Sequence, residues 1–239
     1  MKISILLPYK ENYSPTYAGA VSLFVHSVLN KSVYKKSTTI YGSTKYKDKL
    51  SSNYINIPLS KEFLKSQSKE YVNKFIIEQK KEKPDIIEIH NRPSYVNQLI
   101  KLDTNLVLYF HNDPISMDGS RSSQERVSLL NSCKKIVFNS EWSKKQFLKN
   151  LQNFYHKSKK LIVIHQSIDQ KPVDIKKKKK IISFVGKLNS AKGYDIFCKA
   201  IIKVLNKYPD WKAVVAGDEP REVINVHHKN LTNLGFQKH

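Results

Sequence analysis

Short β-branched runs alternate with longer helical patterns along this chain, and that rhythm constrains the fold more than any other feature. Strands separated by helices cannot pair as hairpins. Each crossover returns the chain parallel to the strand before, so the alternation builds a parallel α/β sheet. Candidate strands are 3–8, 38–41, 54–57, 85–89, 105–110, 136–139 and 161–164. Between them, 20–30, 65–81, 94–101, 121–133 and 140–151 read as helices, the last with Ser140 placed to cap it. Val21, Phe24, Val25 and Val28 are the apolar stripe expected of the first helix, and Tyr71, Phe75 and Ile76 that of the second.

The rhythm breaks once. Residues 166–180 contain Pro172 and five consecutive lysines at 176–180, a run that cannot bury itself and reads as a solvated linker. The pattern then restarts with strand 181–185, loop 186–191, helix 192–207 and strands at 211–216 and 229–234. The expectation is an α/β protein of two Rossmann-like, doubly wound parallel-sheet domains, 1–165 and 181–239. The second is incomplete, with about three strands where five or six are usual.

Lys and Arg total 42 against 20 acids, a net charge of +22, yet only Arg92, Arg121, Arg126 and Arg221 are arginine. A nucleic-acid binder favours arginine forks and stacking aromatics, and these lysines are spread along the chain, so nucleic acid is not an expected partner. A lysine bias beside abundant Ile and Asn also arises from an AT-rich genome. The functional readings of the charge are attraction to phosphate-bearing substrates and peripheral contact with an anionic membrane, with 31–49 and 61–83 as the basic stretches. No stretch approaches the roughly 18–20 apolar residues of a membrane span. The apolar N-terminus is too short for a signal peptide and lacks a cleavage site, so a cytoplasmic location is expected. Cys133 and Cys198, far apart in apolar-periodic segments, read as buried free thiols.

In a parallel sheet, ligands bind beyond the C-terminal ends of the strands. Four segments fall there. In the loop closing with Tyr17-Ala18-Gly19-Ala20, a small residue opening a helix lets backbone N–H groups approach an anion or a sugar hydroxyl, or merely eases a turn. His90-Asn91-Arg92-Pro93 and His111-Asn112-Asp113-Pro114 end consecutive strands, where a histidine can hydrogen-bond a sugar hydroxyl or transfer a proton. His90, Asn91, Arg92, Asn112 and Asp113 are therefore candidate acceptor-binding residues. The run 183–193 carries Lys187 and Lys192 around a helix start, two cations suited to a pyrophosphate or two surface lysines of a lysine-rich chain. In 214–220, Gly217 allows a close backbone approach, and the acids Asp218 and Glu219 can hold hydroxyls or cap the next helix. Neither a Walker A loop nor GxGxxG is present, and no metal-ligand spacing occurs, so neither metal nor cofactor is expected.

The runs FVGKLNSAKGYDIFCKAI and DWKAVVAGDEP together resemble the donor-domain opening of family-4 retaining glycosyltransferases (group 1) of the GT-B fold. FNSEW before a helix and VIHQSID entering the linker agree in order. HNRPSY and HNDP resemble bacterial members that build lipopolysaccharide or other envelope glycans. The resemblance implies metal-independent, retaining transfer from a nucleotide-sugar to a glycan or lipid-linked acceptor. It places Gly19 near donor phosphate and acceptor, and His111 near the transferred sugar as the catalytic residue. Lys187, where the family often has arginine, and Lys192 would hold the pyrophosphate and take up the leaving group's charge, with Gly217 and Glu219 also at the donor. A lysine gives a point charge where arginine gives a fork, which weakens that contact. No E-x7-E follows residue 216, so the resemblance further implies a donor domain cut short. The alternative is an inactive GT-B half that binds a glycan or a protein partner.

Overall fold

The computed structural model describes residues 1–60, 66–167, 172–219 and 222–237. The chain divides into two compact units, Met1–Ile168 and Asp169–His239. Part of the Lys-rich segment, 168–171, lies outside the described residues, as do Lys65, expected to open the second helix, and Pro220.

In the first unit the described strands are β1 (Ile3–Leu6), β2 (Thr38–Gly42), β3 (Tyr54–Asn56), β4 (Ile86–His90), β5 (Asn105–Phe110), β6 (Lys135–Phe138) and β7 (Leu161–Val163). They form one parallel sheet in the order β3-β2-β1-β4-β5-β6-β7. Strand β1 pairs with β2 on one side and β4 on the other, so the winding direction reverses between β1 and β4. That reversal opens a crevice at the C-terminal ends of these two strands. Along β1 the side chains alternate, as a pleated strand requires: Ile5 faces one core with Leu7, and Leu6 the other. Both faces are buried, which a parallel sheet needs.

The helices are α1 (Ala20–Lys31), α2 (Gln67–Glu82), α3 (Val96–Leu99), α4 (Ser123–Ser132), α5 (Glu141–Leu148) and α6 (Asn153–His156). Helix α1 buries Val21, Val25 and Leu29, spaced by four, while Val28 is 53% exposed. The buried stripe thus runs through Leu29 instead of the expected Val28. Helix α2 buries Tyr71, Val72 and Phe75, and stops at Lys83 in the left-handed region before Pro84. A capping box of Ser122 and Glu125 starts α4. Ser140 caps α5 as expected, its Oγ accepting from Ser143 N–H. The helix is shorter than 140–151, because the Lys149 carbonyl turns to the buried Arg126 guanidinium at 2.7 Å and Asn150 takes φ 61°.

The second unit has β8 (Ile181–Val185), α7 (Tyr194–Lys207), β9 (Lys212–Ala216) and β10 (Leu231–Asn233), in a parallel sheet ordered β10-β9-β8. Helix α7 buries Tyr194, Cys198, Ile201 and Leu205 against Ala213 and Val215. Both cysteines are buried free thiols; burial pushes the Cys133 thiol up to about 12.

Candidate functional site

The crevice between β1 and β4 holds a polar pocket of 360 Å³, lined by the loop after β1 (Pro8, Lys10, Glu11), the start of α1, Asn91, Arg92, His111, Asn112 and Gln166. Three of the residues expected to meet the acceptor, Asn91, Arg92 and Asn112, converge here with His111. Two do not line it. His90 is fully buried behind His111, and the Asp113 carboxylate is spent on its own turn, accepting from Ile115 N–H.

The floor of the pocket is a hydrogen-bonded row. Gln166 Nε2 donates to His111 Nδ1 at 2.7 Å. With Nδ1 accepting, His111 Nε2 carries the proton and donates to His90 Nδ1 at 2.8 Å. Glu88 Oε1 then lies 2.6 Å from His90 Nε2, off the N–H direction that a full hydrogen bond needs. Tyr109 stacks on both imidazoles, with centroids at 4.6 Å from His111 and 5.4 Å from His90, and Phe24 meets His111 edge-on at 5.0 Å. This apolar lining, and then the neighbouring His90, hold the His111 pKa down to about 3. His111 is therefore a neutral imidazole near pH 7, with both nitrogens engaged. Asn91, at φ 54°, aims its Oδ1 at the His111 backbone N–H at 3.1 Å, and Asn139 Nδ2 donates to the His111 carbonyl at 2.8 Å. The backbone of His111 is thereby fixed from two further strand ends.

Gly19 adjoins this pocket as the N-cap of α1. The space beside it is taken by Glu11, whose Oε1 would stand 1.9 Å from a Cβ at Gly19 and accepts from Ser22 N–H at 3.0 Å. The helix start expected to receive a ligand's anion thus receives a carboxylate of the chain itself.

In the second unit, Lys187 and Lys192 are exposed on the loop joining β8 to α7. Lys192 ends a single 3-10 turn (Ser190–Lys192), and α7 opens only after Gly193; the Lys192 N–H is already bonded to Asn189 Oδ1 at 3.1 Å. Around the same loop, Asn189 Nδ2 donates to Glu219 Oε2 at 3.2 Å, and Ser190 gives its N–H (3.0 Å) and hydroxyl to Glu222 Oε1. Gly217 presses on protein backbone: a Cβ there would lie 1.7 Å from the Gly186 carbonyl oxygen. Its small size serves the junction of the β8 and β9 ends. Among the described residues no group of three or more His, Cys, Asp or Glu side chains is arranged so that it could hold a metal ion.

Residues 165–233, which carry this loop, match the family model described as glycosyl transferases group 1. The match covers less than half of the chain, and over those residues the sequence is similar to that family. No curated protein matches the sequence significantly. Among solved structures, the chain is similar to the lipopolysaccharide outer core galactosyltransferase WaaB in its apo form (14% identity, TM-score 0.61), covering 99% of this chain and 68% of that one. It is also similar to UDP-GlcNAc 2-epimerase from Neisseria meningitidis bound to UDP-GlcNAc (11%, TM-score 0.62, 100% and 73% covered) and to S. aureus MnaA with UDP (15%, TM-score 0.59, 100% and 70% covered). These likenesses establish the fold, GT-B, as the sequence motifs implied. Sequence reasoning missed Glu11, Gln166 and Glu222, which reach their partners across loops where no periodicity marks them.

Proposed function

We propose that the protein transfers a sugar from a nucleotide-sugar to a glycan or lipid-linked acceptor of the cell envelope, with retention at the anomeric carbon and without a metal ion. The match of residues 165–233 to the group 1 glycosyltransferases carries this reading. Nucleotide-sugar use agrees with the UDP and UDP-GlcNAc named for two structural neighbours, and an envelope acceptor with the galactosyltransferase of the lipopolysaccharide outer core.

In this reading Lys187 and Lys192 bind the donor's pyrophosphate and offset the negative charge that grows on the leaving nucleoside diphosphate, the task a metal performs elsewhere. Gly217 and Glu219 shape the same loops. His111 is the residue nearest the chemistry in the first unit. Held neutral, it presents Nδ1 as an acceptor, and a sugar hydroxyl that displaces the Gln166 amide donates there in its place. Asn91, Arg92 and Asn112 complete the wall around the acceptor. The surplus of lysine favours working at an anionic membrane where a lipid-linked acceptor resides.

Calorimetric titration of UDP and of UDP-sugars into the full chain tests the reading, beside Lys187→Ala and Lys192→Ala. We expect binding by the parent that falls at least tenfold in each variant, the cost of losing one charge-assisted phosphate contact of about 1.5–3 kcal/mol. Binding undiminished in both variants refutes the placement of the phosphates.

A further inference from the structure

The row that ends at His111 begins at Glu88, and only Glu88 has a fixed role along it. Glu88 and His90 are two apart on β4 and so share one face of the sheet, the face that α1 covers with Phe24. An ionised carboxylate only accepts hydrogen bonds, whereas a neutral imidazole donates from one nitrogen and accepts at the other. The exposed Gln166 can turn either end of its amide to His111. Tyr109, stacked on both rings, spends its hydroxyl elsewhere, on the Ile164 carbonyl at 3.1 Å.

Two directions are open to the row. With the proton on Nε2 of each ring, His111 donates to His90 Nδ1 across 2.8 Å, and His90 turns an N–H to Glu88 Oε1, 2.6 Å away. In the reverse direction both protons sit on Nδ1, and His90 sets a bare lone pair against the carboxylate oxygen at that same distance. His90 is fully buried, where such a repulsion is little screened. Among the described residues His90 Nε2 has no other partner that could decide the matter. The terminal torsion of a glutamate is broad, so a small rotation of Glu88 brings its oxygen into line with the N–H.

We propose that Glu88 is a positioning residue: acting through His90, it holds the proton of His111 on Nε2 and so keeps Nδ1, the nitrogen beside Gln166 at the pocket, an acceptor. His111 then meets a ligand that brings an O–H or N–H donor to Nδ1. That this donor is a sugar hydroxyl rests on the function proposed above; the state of the ring does not.

Long-range proton–nitrogen correlation spectra of the full chain test this, because they tell a bare imidazole nitrogen from a protonated one. The rings of His90 and His111 are assigned by the loss of their signals in His90→Phe and His111→Phe. For the parent we expect Nδ1 bare and Nε2 protonated in both rings. In Glu88→Leu the proton divides between the two nitrogens of each ring, and their signals converge. Glu88→Gln, close to isosteric, moves them the same way by less, because its amide can face the row with either end. Gln166→Ala leaves the parent pattern, since Gln166 follows the ring instead of setting it. The inference is overturned if the parent carries the His111 proton on Nδ1, or if the Glu88 variants that fold, as judged by their amide spectra, keep the parent pattern. It is equally overturned if Gln166→Ala shifts the proton as far as Glu88→Leu. Failure of UDP to bind at the second unit would sink the transferase reading and leave this result untouched.

Discussion

Gly217→Ala offers the sharpest physical test of how the second unit is built. The added methyl would sit 1.7 Å from the Gly186 carbonyl oxygen, whereas ordinary contact begins near 3.4 Å. Backbone cannot rotate out of the way as a side chain can, so the ends of β8 and β9 must part. One hydrogen bond crosses that junction, Gly186 N–H to the Ala216 carbonyl at 3.0 Å, and a second, Gly217 N–H to the Gly235 carbonyl at 2.9 Å, ties the displaced residue to the segment after β10. Losing both costs about 2 kcal/mol. Holding alanine at φ 148° adds about 1–3 kcal/mol of backbone strain. A total of about 3–5 kcal/mol falls on a unit that holds no more than about 10 kcal/mol in all. Each unit contains one of the chain's two tryptophans, Trp142 and Trp211, and Trp211 packs beside Ile201, Leu205 and Ala213. In a Trp142→Phe background, urea unfolding followed by Trp211 fluorescence therefore reports the second unit alone. Gly193→Ala is the control, because its φ is also positive, at 74°, but no atom lies within 4 Å of the new Cβ; about 1 kcal/mol is expected there. If Gly217→Ala costs no more than Gly193→Ala, the close approach of the two loops is not what requires glycine.

The His111 pKa, held at about 3 against an ordinary 6.5, gives a pH dependence of definite sign. The unfolded chain takes up a proton near 6.5 that the native state refuses until about 3, so the first unit loses stability as pH falls through that window, by about 1.4 kcal/mol per unit. His111→Phe should flatten the fall, measured as urea midpoints between pH 7 and 4, and an unchanged slope would mean that the imidazole is already charged. For the same reason any transfer activity should show no inflection from His111 between pH 5 and 8. Ser122→Ala removes the side-chain half of the capping box on α4 and should cost about 1 kcal/mol, read from a thermal melt of the full chain; Ser122→Asp should restore most of it.

Legibility in the sequence followed the range of the interaction. The strands at 105–110 and 181–185 carry short, predominantly apolar runs, and the structure places them at those residues. Helix α1 was recognisable from its spacing, but Phe24 and Val28 share the stripe's residue types with Val25 and Leu29. Only the neighbours decide that Phe24 faces the imidazoles and Val28 the solvent. The break after α5 was hidden because it depends on Arg126, 23 residues earlier, drawing the Lys149 carbonyl. The strand-end placement of His90 and His111 was legible, since each closes a strand before a proline turn. Their mutual contact, and the Gln166 contact 55 residues away, required the register of β4 against β5 and the return of the chain past β7. Glycine roles were the least legible: a sequence shows where a side chain is missing and not whether ligand, carboxylate or carbonyl fills the space.

The winding reversal between β1 and β4 has a consequence for how such proteins diverge. Apart from Ala20 and Val21 at the start of α1, the residues around the pocket hang from loops or strand ends, and β1, from which the first of these loops leaves, turns its own side chains to the two cores. Lengthening or rewriting one loop leaves the pairing of the sheet intact, so drift can replace pocket chemistry one segment at a time. Solved structures that share this fold over nearly the whole chain at 10–15% identity show how little the sheet depends on any one sequence. For a protein built this way, a search for relatives gains more from the few residues that hold the loops in place than from the length of the alignment. Glu11 on α1, Asn91 on the His111 backbone and Gly217 on Gly186 are the three to compare first.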